Sequence, residues 1–412
     1  MKSAQYSRVA LLSMSVAGLL ASGCGGGDNE SADASVASTP DASVDAGPAW
    51  SAPVAPWFGC GDGDETGATV VVAQNKADHS HAPGSSGVDD HRQVDVTTTF
   101  PAGHWQQIFM KVELDCPADG KCDIWDRAGA ITLLDDAAAT TGIELARYMT
   151  PYHRGFCFVA DVTDLASKLQ GTKTVRSFID TWVSNDDPVN GHGWAVTTKF
   201  LFRAGTPDTM AYASEVVPLW ENQAEGKLIT IGDPMQPIDA VMPPRTVTIP
   251  ADAKKVQLRY IVTGHGQGGQ ANCAEFCQLQ YKTTLGADSV AVTPWRNDCM
   301  VNPVSPQDGT WQYTRAGWCP GSYAAPTLVD ITNKVTPGTD TVLSFSVVDG
   351  TGADFVNQCR PGAGVDTDGD GNKNDSCPSC TWSSNQHNNC DYNYNGHTQP
   401  EGRVTVEMLV YK

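Results

Sequence analysis

Basic residues are scarce in this 412-residue chain: 27 Lys and Arg stand against 47 Asp and Glu, a formal net charge of -20. Nucleic acid is held by a basic face that releases counterions, so this balance excludes it as a partner. Long apolar runs are also missing. The one candidate, "VALLSMSVAGLLA" near the N-terminus, is too short to cross a bilayer as an ordinary helix, and no later segment is apolar enough. Helical periodicity is almost absent: only "VTDLASKLQG" (162–171) carries it, with Thr163 or Asp164 as cap and Gly171 as terminator. There is no G-x-S-x-G nucleophile elbow. The 9 histidines are scattered, and "HSH" (79–81) is the only close pair, so the second cluster that a copper or zinc enzyme needs is not evident.

What is present begins with a targeting segment. Lys2 and Arg8 precede the apolar stretch, which ends in "ASGC". This resembles a bacterial lipobox with Cys24 as the lipidated residue, although Ala21 stands where such boxes usually carry Leu. The expectation is a signal peptide over 1–23 and an exported lipoprotein of the outer membrane or cell surface. Ordinary periplasmic or secretory export is the alternative. A lipid at Cys24 would be the only membrane attachment. Of 13 cysteines, 12 then remain, an even number suited to disulfides in an oxidising compartment.

Residues 24–57 are small, polar and punctuated by Pro and Gly, the composition of a flexible tether. Beyond them the pattern is short alternating runs between turn residues. "IFMKVEL" sets Ile108, Met110, Val112 and Leu114 on one face. "KVQLRYIVT" alternates Val256, Leu258, Tyr260 and Val262 against Gln257, Arg259, Ile261 and Thr263. Many short strands with few helices predict an all-β chain, and its length favours two antiparallel β-sandwiches over one. "AGTPDTMAY" (204–212) breaks the pattern and divides a sandwich over 58–208 from another over 209–412.

Residues 359–390 form a Cys/Asp-rich insertion without period. Within it Asp366, Asp368 and Asp370 alternate ahead of Gly371, a spacing of hard oxygen ligands that suits a structural Ca²⁺. A solvated acidic turn is the alternative. Cys359, Cys377, Cys380 and Cys390 would make a four-thiolate zinc site, but export favours two disulfides. "GHGQGG" (264–269) satisfies G-x-G-x-x-G without the helix that a dinucleotide site requires, so its glycines read as close backbone approach at a loop.

Two acids lie beside close cysteine pairs. Asp126 follows Cys116 and Cys122 in "CPADGKCDIWDR"; Glu275 lies inside "CAEFC". If "CDIWDR" is a strand, Asp126 shares the inner face with Ile124 while Asp123, Trp125 and Arg127 share the other. Trp125, Phe276 and Trp318 would desolvate the two carboxyls and raise their pKa toward the range of a general acid or base, while Arg127 and Arg315 would oppose that shift or hold a substrate oxygen. Taken alone, each acid reads first as a surface group or a structural ion pair rather than a catalytic one.

"CPADGKCDIWDR", "TPY" (150–152), "DTW" (180–182), "GTPD" (205–208), "CAEFC" (273–277) and "RAGWCPG" (315–321) occur in this order. Together they resemble the peptide-N-glycosidase F family, amidases that cleave the bond between asparagine and the first N-acetylglucosamine of an N-glycan. The resemblance implies two jelly-roll β-sandwiches packed side by side and a monomer whose chemistry needs no metal. It implies that Asp126 activates water, that Glu275 orients water or substrate, and that Asp180 binds the core sugar. Asp180 is a departure, one methylene shorter than the family's Glu. Arg127, Trp125, Trp182, Arg315, Trp318 and His265 would contact substrate. His153, His265 and Phe276 stand where family members carry tryptophan. The implied disulfides are Cys116–Cys122, Cys273–Cys277 and Cys299–Cys319. A glycan-binding sandwich without activity, a glycosidase using paired carboxylates, and a copper monooxygenase of the same fold are the rival readings.

Overall fold

In the computed structural model the first described element to carry a ladder is β1 (Ala68–His79), whose partner β8 (Trp194–Ala204) lies more than a hundred residues downstream. The sheet continues through β3 (Trp105–Asp115) to β6 (Phe156–Asp161). Facing it, a second sheet orders β15 (Ser322–Ala324), β5 (Ile143–Met149), β4 (Ala128–Leu134), β7 (Gly171–Ile179) and β2 (Gln93–Phe100). The other sandwich pairs β10 (Ile229–Thr230), β18 (Glu401–Tyr411), β12 (Lys255–His265) and β16 (Thr327–Asp330), with β9 (Glu215–Trp220) also on β18. Its facing sheet orders β11 (Arg245–Thr248), β17 (Asp340–Val348), β13 (Gln280–Leu285) and β14 (Asp288–Val292). The described residues are 59–60, 65–81, 90–117, 120–221, 228–233, 236–268, 273–357 and 398–412, and all belong to one compact unit, Ala52–Lys412. Cys24, the tether, Asp366, Asp368, Asp370 and the four cysteines of the insertion lie outside them.

The alternation has its physical counterpart in the core. Ile108, Met110, Val112 and Leu114 on β3 are all buried in one cluster, with Phe158, Phe200 and Trp194 around them. Val256, Leu258, Tyr260 and Val262 on β12 enter the other cluster with Val404, Val406, Met408 and Val410 of β18. Each such side chain removed from water stabilises the fold by roughly 1.5–3 kcal/mol.

The opposite faces of β12 and β18 are buried as well. Arg259, Thr263, Thr405 and Glu407 are essentially inaccessible, because that face covers β5 of the first sandwich. Glu144 and Arg147 of β5 form a fork-on-fork pair (2.8 and 2.7 Å). Arg147 also donates to the carbonyls of Ile261 (3.2 Å) and Arg403 (2.5 Å). Arg259 donates to Glu407 (2.7 Å) and to the Glu144 carbonyl (2.8 Å), and the Glu144 amide donates to Glu407 (3.0 Å). Four charges thus weld the sandwiches through ladders whose own hydrogen bonds are already made. β15 adds to the weld, since it comes from the chain's second half and pairs with β5.

"VTDLASKLQG" does not form the expected helix. It folds as a 3₁₀ turn over Thr163–Leu165 followed by further turns. A helix this short is marginal, whereas i to i+3 turns let Val162, Leu165, Ala166 and Leu169 cap the core together. Neither expected residue acts as the N-cap: Val162 occupies that position, and the Thr163 hydroxyl accepts from the Ile108 amide at 2.9 Å. Gly171, with φ of 66°, ends the turn and opens β7.

Candidate active site

The stretch that carries Asp126 is not a strand. Residues 121–127 run as bends and open backbone that end where β4 begins at Ala128. Strand alternation therefore does not apply here, and the expected faces do not exist. Asp123, placed on the outer face by alternation, is fully buried, and Ile124 is only half-buried. The reason lies in what the loop pairs with. The Ile124 amide donates to the Asn190 carbonyl (3.1 Å), and the Asp123 amide donates to that of Gly193 (3.3 Å), in place of a regular ladder. A Cβ on Gly191 would lie 1.9 Å from the Cys122 carbonyl oxygen, so only glycine lets the backbones approach this closely. The Cys116–Cys122 disulfide closes the loop from the other side.

Asp123 is the knot of this loop. Its carboxylate accepts from Arg127 Nε (2.7 Å), from the Thr181 hydroxyl (2.7 Å) and from the Trp125 amide (2.9 Å). It therefore links "CDIWDR" to the "DTW" segment that holds Asp180 and Trp182. Asp123→Asn keeps the shape but halves the acceptor capacity and leaves Arg127 without its counter-charge. We expect about 2 kcal/mol of lost stability and a fall in kcat/KM of about tenfold, read from thermal unfolding and steady-state kinetics on the same sample.

The second arm comes from the other sandwich. Glu275 is held in the Cys273–Cys277 loop, whose backbone lies against β12: the Glu275 amide donates to the Gly266 carbonyl (3.3 Å), and the Ala316 amide to that of Glu275 (2.8 Å). At Gly264 a Cβ would lie 2.5 Å from the Ala274 carbonyl oxygen, and at Gly266, with φ of 96°, 2.0 Å from that of Gln399. These glycines serve close backbone approach.

The two acids meet on Arg315. This guanidinium has no exposed surface, lies 3.1 Å from Glu275 and 3.7 Å from Asp126, and sits 4.4 Å from the Trp318 ring and 5.0 Å from that of Phe276. It supports the carboxyls from beneath, out of a substrate's reach. Burial pushes the Asp126 carboxyl up to about 6, against the pull of Arg315, a hydrogen bond from Tyr152, and Arg127. Burial pushes Glu275 further, to about 8, against Arg315 and with the charge of Asp126 adding to the rise. Trp125 contributes little to this desolvation, since it is 51% exposed and does not line the cleft.

The cleft above them, about 240 Å³, is lined by Asp126, Arg127, Glu275, Trp318 and His265 at the acid pair, and by Asp180, Trp182, Leu228, Glu401 and Arg403 beyond it. His265 stacks on Trp318 (5.5 Å between centroids) and contacts the Thr263 hydroxyl at 2.9 Å. Burial and the nearby arginines hold its ring neutral. Trp182 is 62% exposed, packed by His81 (5.4 Å) and Arg92 (4.9 Å). His153 lies apart, paired with Asp308 at 3.1 Å.

Glu401 and Arg403 have no counterpart in the sequence reading. They open β18, where Glu401 pairs with His265 and Arg403 with Thr263 in register. Arg403 donates to Asp180 at 2.5 Å, and burial raises Glu401 to about 7 against the pull of Arg403. No local signal marks them, because their partners lie more than a hundred residues away. The three disulfides implied by the resemblance are present, with a fourth among the described residues, Cys60–Cys157, tying the segment ahead of β1 to β6.

Comparison with known proteins agrees with this architecture. The family model described as peptide-N-glycosidase F, C terminal, matches residues 238–356. The peptide-N(4)-(N-acetyl-beta-D-glucosaminyl)asparagine amidase F of Elizabethkingia miricola is 29% identical over 264 residues, 59% of this chain and 68% of that protein. Among solved structures, recombinant peptide:N-glycanase F superposes with a TM-score of 0.63 at 19% identity, covering 84% of this chain and 96% of the other. PNGase F from Flavobacterium meningosepticum, described as a glycosylasparaginase, gives 0.61 at 20% identity with the same coverage. The class they support is the N-glycan amidases, built as double β-sandwiches. Within it, this chain is similar to the peptide-N-glycosidase F family, through the match to its C-terminal model and the 29% identity to that amidase.

Proposed function

We propose that this chain is an exported amidase that hydrolyses the Asn–GlcNAc amide of N-glycoproteins or glycopeptides, converting Asn to Asp and releasing the glycan as its glycosylamine. The observation that carries this reading is the convergence of Asp126 and Glu275, one from each sandwich, on the buried Arg315.

Amide hydrolysis needs a base for water, a donor toward the carbonyl oxygen and a proton for the leaving nitrogen. With its carboxyl near 6, Asp126 is ionised at neutral pH yet basic enough to take a proton from water. Glu275, near 8, keeps its proton and orients the carbonyl or the water through a donated hydrogen bond. The water's oxygen bonds to the amide carbon, the C–N bond breaks, and the proton on Asp126 passes to the departing amine. Asp180 and Arg403 face the sugar.

The test incubates the protein with an N-glycopeptide in ¹⁸O-labelled water and follows the peptide by mass spectrometry. Release with Asn converted to labelled Asp supports the reading. A peptide that keeps one GlcNAc on Asn identifies a glycosidase, and binding without release identifies a lectin-like sandwich. The pH profile gives a second check. Asp126 must be ionised and Glu275 protonated, so kcat/KM is expected to rise through about 6 and fall through about 8. These limbs are apparent values of the coupled pair. A flat profile across that window would contradict the division of roles.

A further inference from the structure

The catalytic cleft, at about 240 Å³, accommodates little more than the linkage and the first sugars, yet its far wall does not end at the fold's surface. Leu228 on that wall also lines a larger cavity of about 800 Å³ formed where the two sandwiches face each other. The floor between them is β7. Arg176 and Phe178 alternate onto the same face as Asp180, and the Asp180 amide continues the ladder by donating to the Ala128 carbonyl (2.9 Å). At strand rise, Asp180 and Arg176 are about 13 Å apart, the span of two or three linked pyranoses. The cavity's walls come from both sandwiches: Thr132 and Thr141 from the first, Leu219, Glu221 and Arg245 from the second.

We propose that this cavity is a second saccharide subsite that holds the outer, branched sugars of the N-glycan whose innermost residue lies against Asp180. The proposal rests on the amidase reading above. Sugar hydroxyls donate and accept at once, and their ring C–H faces are apolar. The cavity has the matching mixture: guanidiniums and threonine hydroxyls beside a carboxyl, with Phe178 and Leu219 between them. Glu221 accepts from the Gly142 amide (3.4 Å), and burial raises its carboxyl to about 7, so it serves as donor or acceptor near neutrality. At the entrance, Asp180 Oδ1 and Arg403 Nε are buried without a hydrogen-bond partner among the described residues. Both residues line the neighbouring cleft, where Arg403 holds Asp180 at 2.5 Å, so this charged pair marks the boundary between cleft and cavity. The dimensions favour a branched oligosaccharide over the extended peptide, which would leave most of an 800 Å³ chamber unfilled.

Thr141 and Val241 are exposed on opposite rims of the cavity, away from the acids, so bulk is tolerated there without touching the core. Thr141→Trp and Val241→Trp are each compared with the native chain on two glycopeptides. One carries a complete branched glycan; the other carries only the two innermost GlcNAc residues. For the first, kcat/KM is expected to fall about tenfold through KM, and for the second to stay unchanged. In parallel, the free branched oligosaccharide and the chitobiose disaccharide are titrated into Asp126→Asn protein by calorimetry. The larger sugar is expected to bind at least about tenfold tighter, and to lose that advantage when Thr141→Trp is added. Equal losses on both glycopeptides, no loss on either, or equal binding of the two sugars would overturn the subsite. If native protein releases neither glycan, the amidase reading fails, and the calorimetric arm still decides the subsite by itself.

Discussion

Asp126→Asn is expected to lower kcat for glycan release by about a thousandfold while leaving KM within a few fold, because general-base assistance contributes 10²–10⁴. The amide has nearly the shape of the carboxylate and can still accept from Tyr152, so the loop held by Asp123 is undisturbed. What disappears is the proposed acceptor of the water's proton. A further consequence is electrostatic. The charge of Asp126 is among the causes that raise Glu275, and Arg315 divides its attraction between the two acids. Without that charge, Arg315 acts on Glu275 alone, and the Glu275 carboxyl moves down from about 8. Carboxyl ¹³C shifts across a pH titration report this directly. Glu275→Gln is the contrasting variant: it keeps a neutral donor in place, so its expected loss is only about tenfold. Turnover retained in Asp126→Asn would remove the assignment of the base.

The family motifs were legible because each is local: a short cysteine loop, an acid and an aromatic within a few residues. The strand alternation on β3 and β12 was legible for the same reason, since period two needs only the strand itself. Alternation carries no information where backbone pairing is not local. "CDIWDR" has the composition of a strand, but its amides bond to Asn190 and Gly193, so alternation no longer decides which side chain is inside. Alternation points Asp123 outward, yet it is the most buried acid of the loop. Glu401 and Arg403 were invisible for a related reason: an acid and an arginine opening a strand look like solvated charge until β12 and β7 are brought beside them. Likewise, Arg259, Thr263, Thr405 and Glu407 have the polarity of an exposed face. Only the second sandwich's contact with β5 converts that face into an interior.

That interior supports the prediction with the largest effect on stability. Arg259→Met is expected to destabilise the fold by about 3–5 kcal/mol, the usual consequence of leaving a buried charge without its partner. Arg259 is inaccessible, donates to Glu407 (2.7 Å) and to the carbonyls of Glu144 (2.8 Å) and Leu145 (3.2 Å), and lies 3.9 Å from Asp164. Methionine fills much of the volume but satisfies none of these acceptors. The sign with pH follows from Glu407, whose carboxyl burial already raises to about 7 in spite of Arg259. Without Arg259 that folded-state pKa rises further. Below the unfolded value of about 4.3 the group is protonated in both states and adds no penalty. The native chain carries the same penalty up to about 7, so the variant's additional deficit opens as pH climbs above about 7 and is complete once pH passes its further-raised folded pKa. The variant's loss, measured by urea unfolding, should therefore be smaller near pH 4.5 than at pH 8. Arg259→Met with Glu407→Gln removes the titrating partner and should regain part of the loss at pH 8, while the Glu144–Arg147 fork stays in place. Equal losses at the two pH values would show that Arg259 acts by packing alone. Because β5, β12 and β18 also carry the strands' continuation into the cleft, the same variant is expected to lose glycan release on warming before the sandwiches themselves unfold.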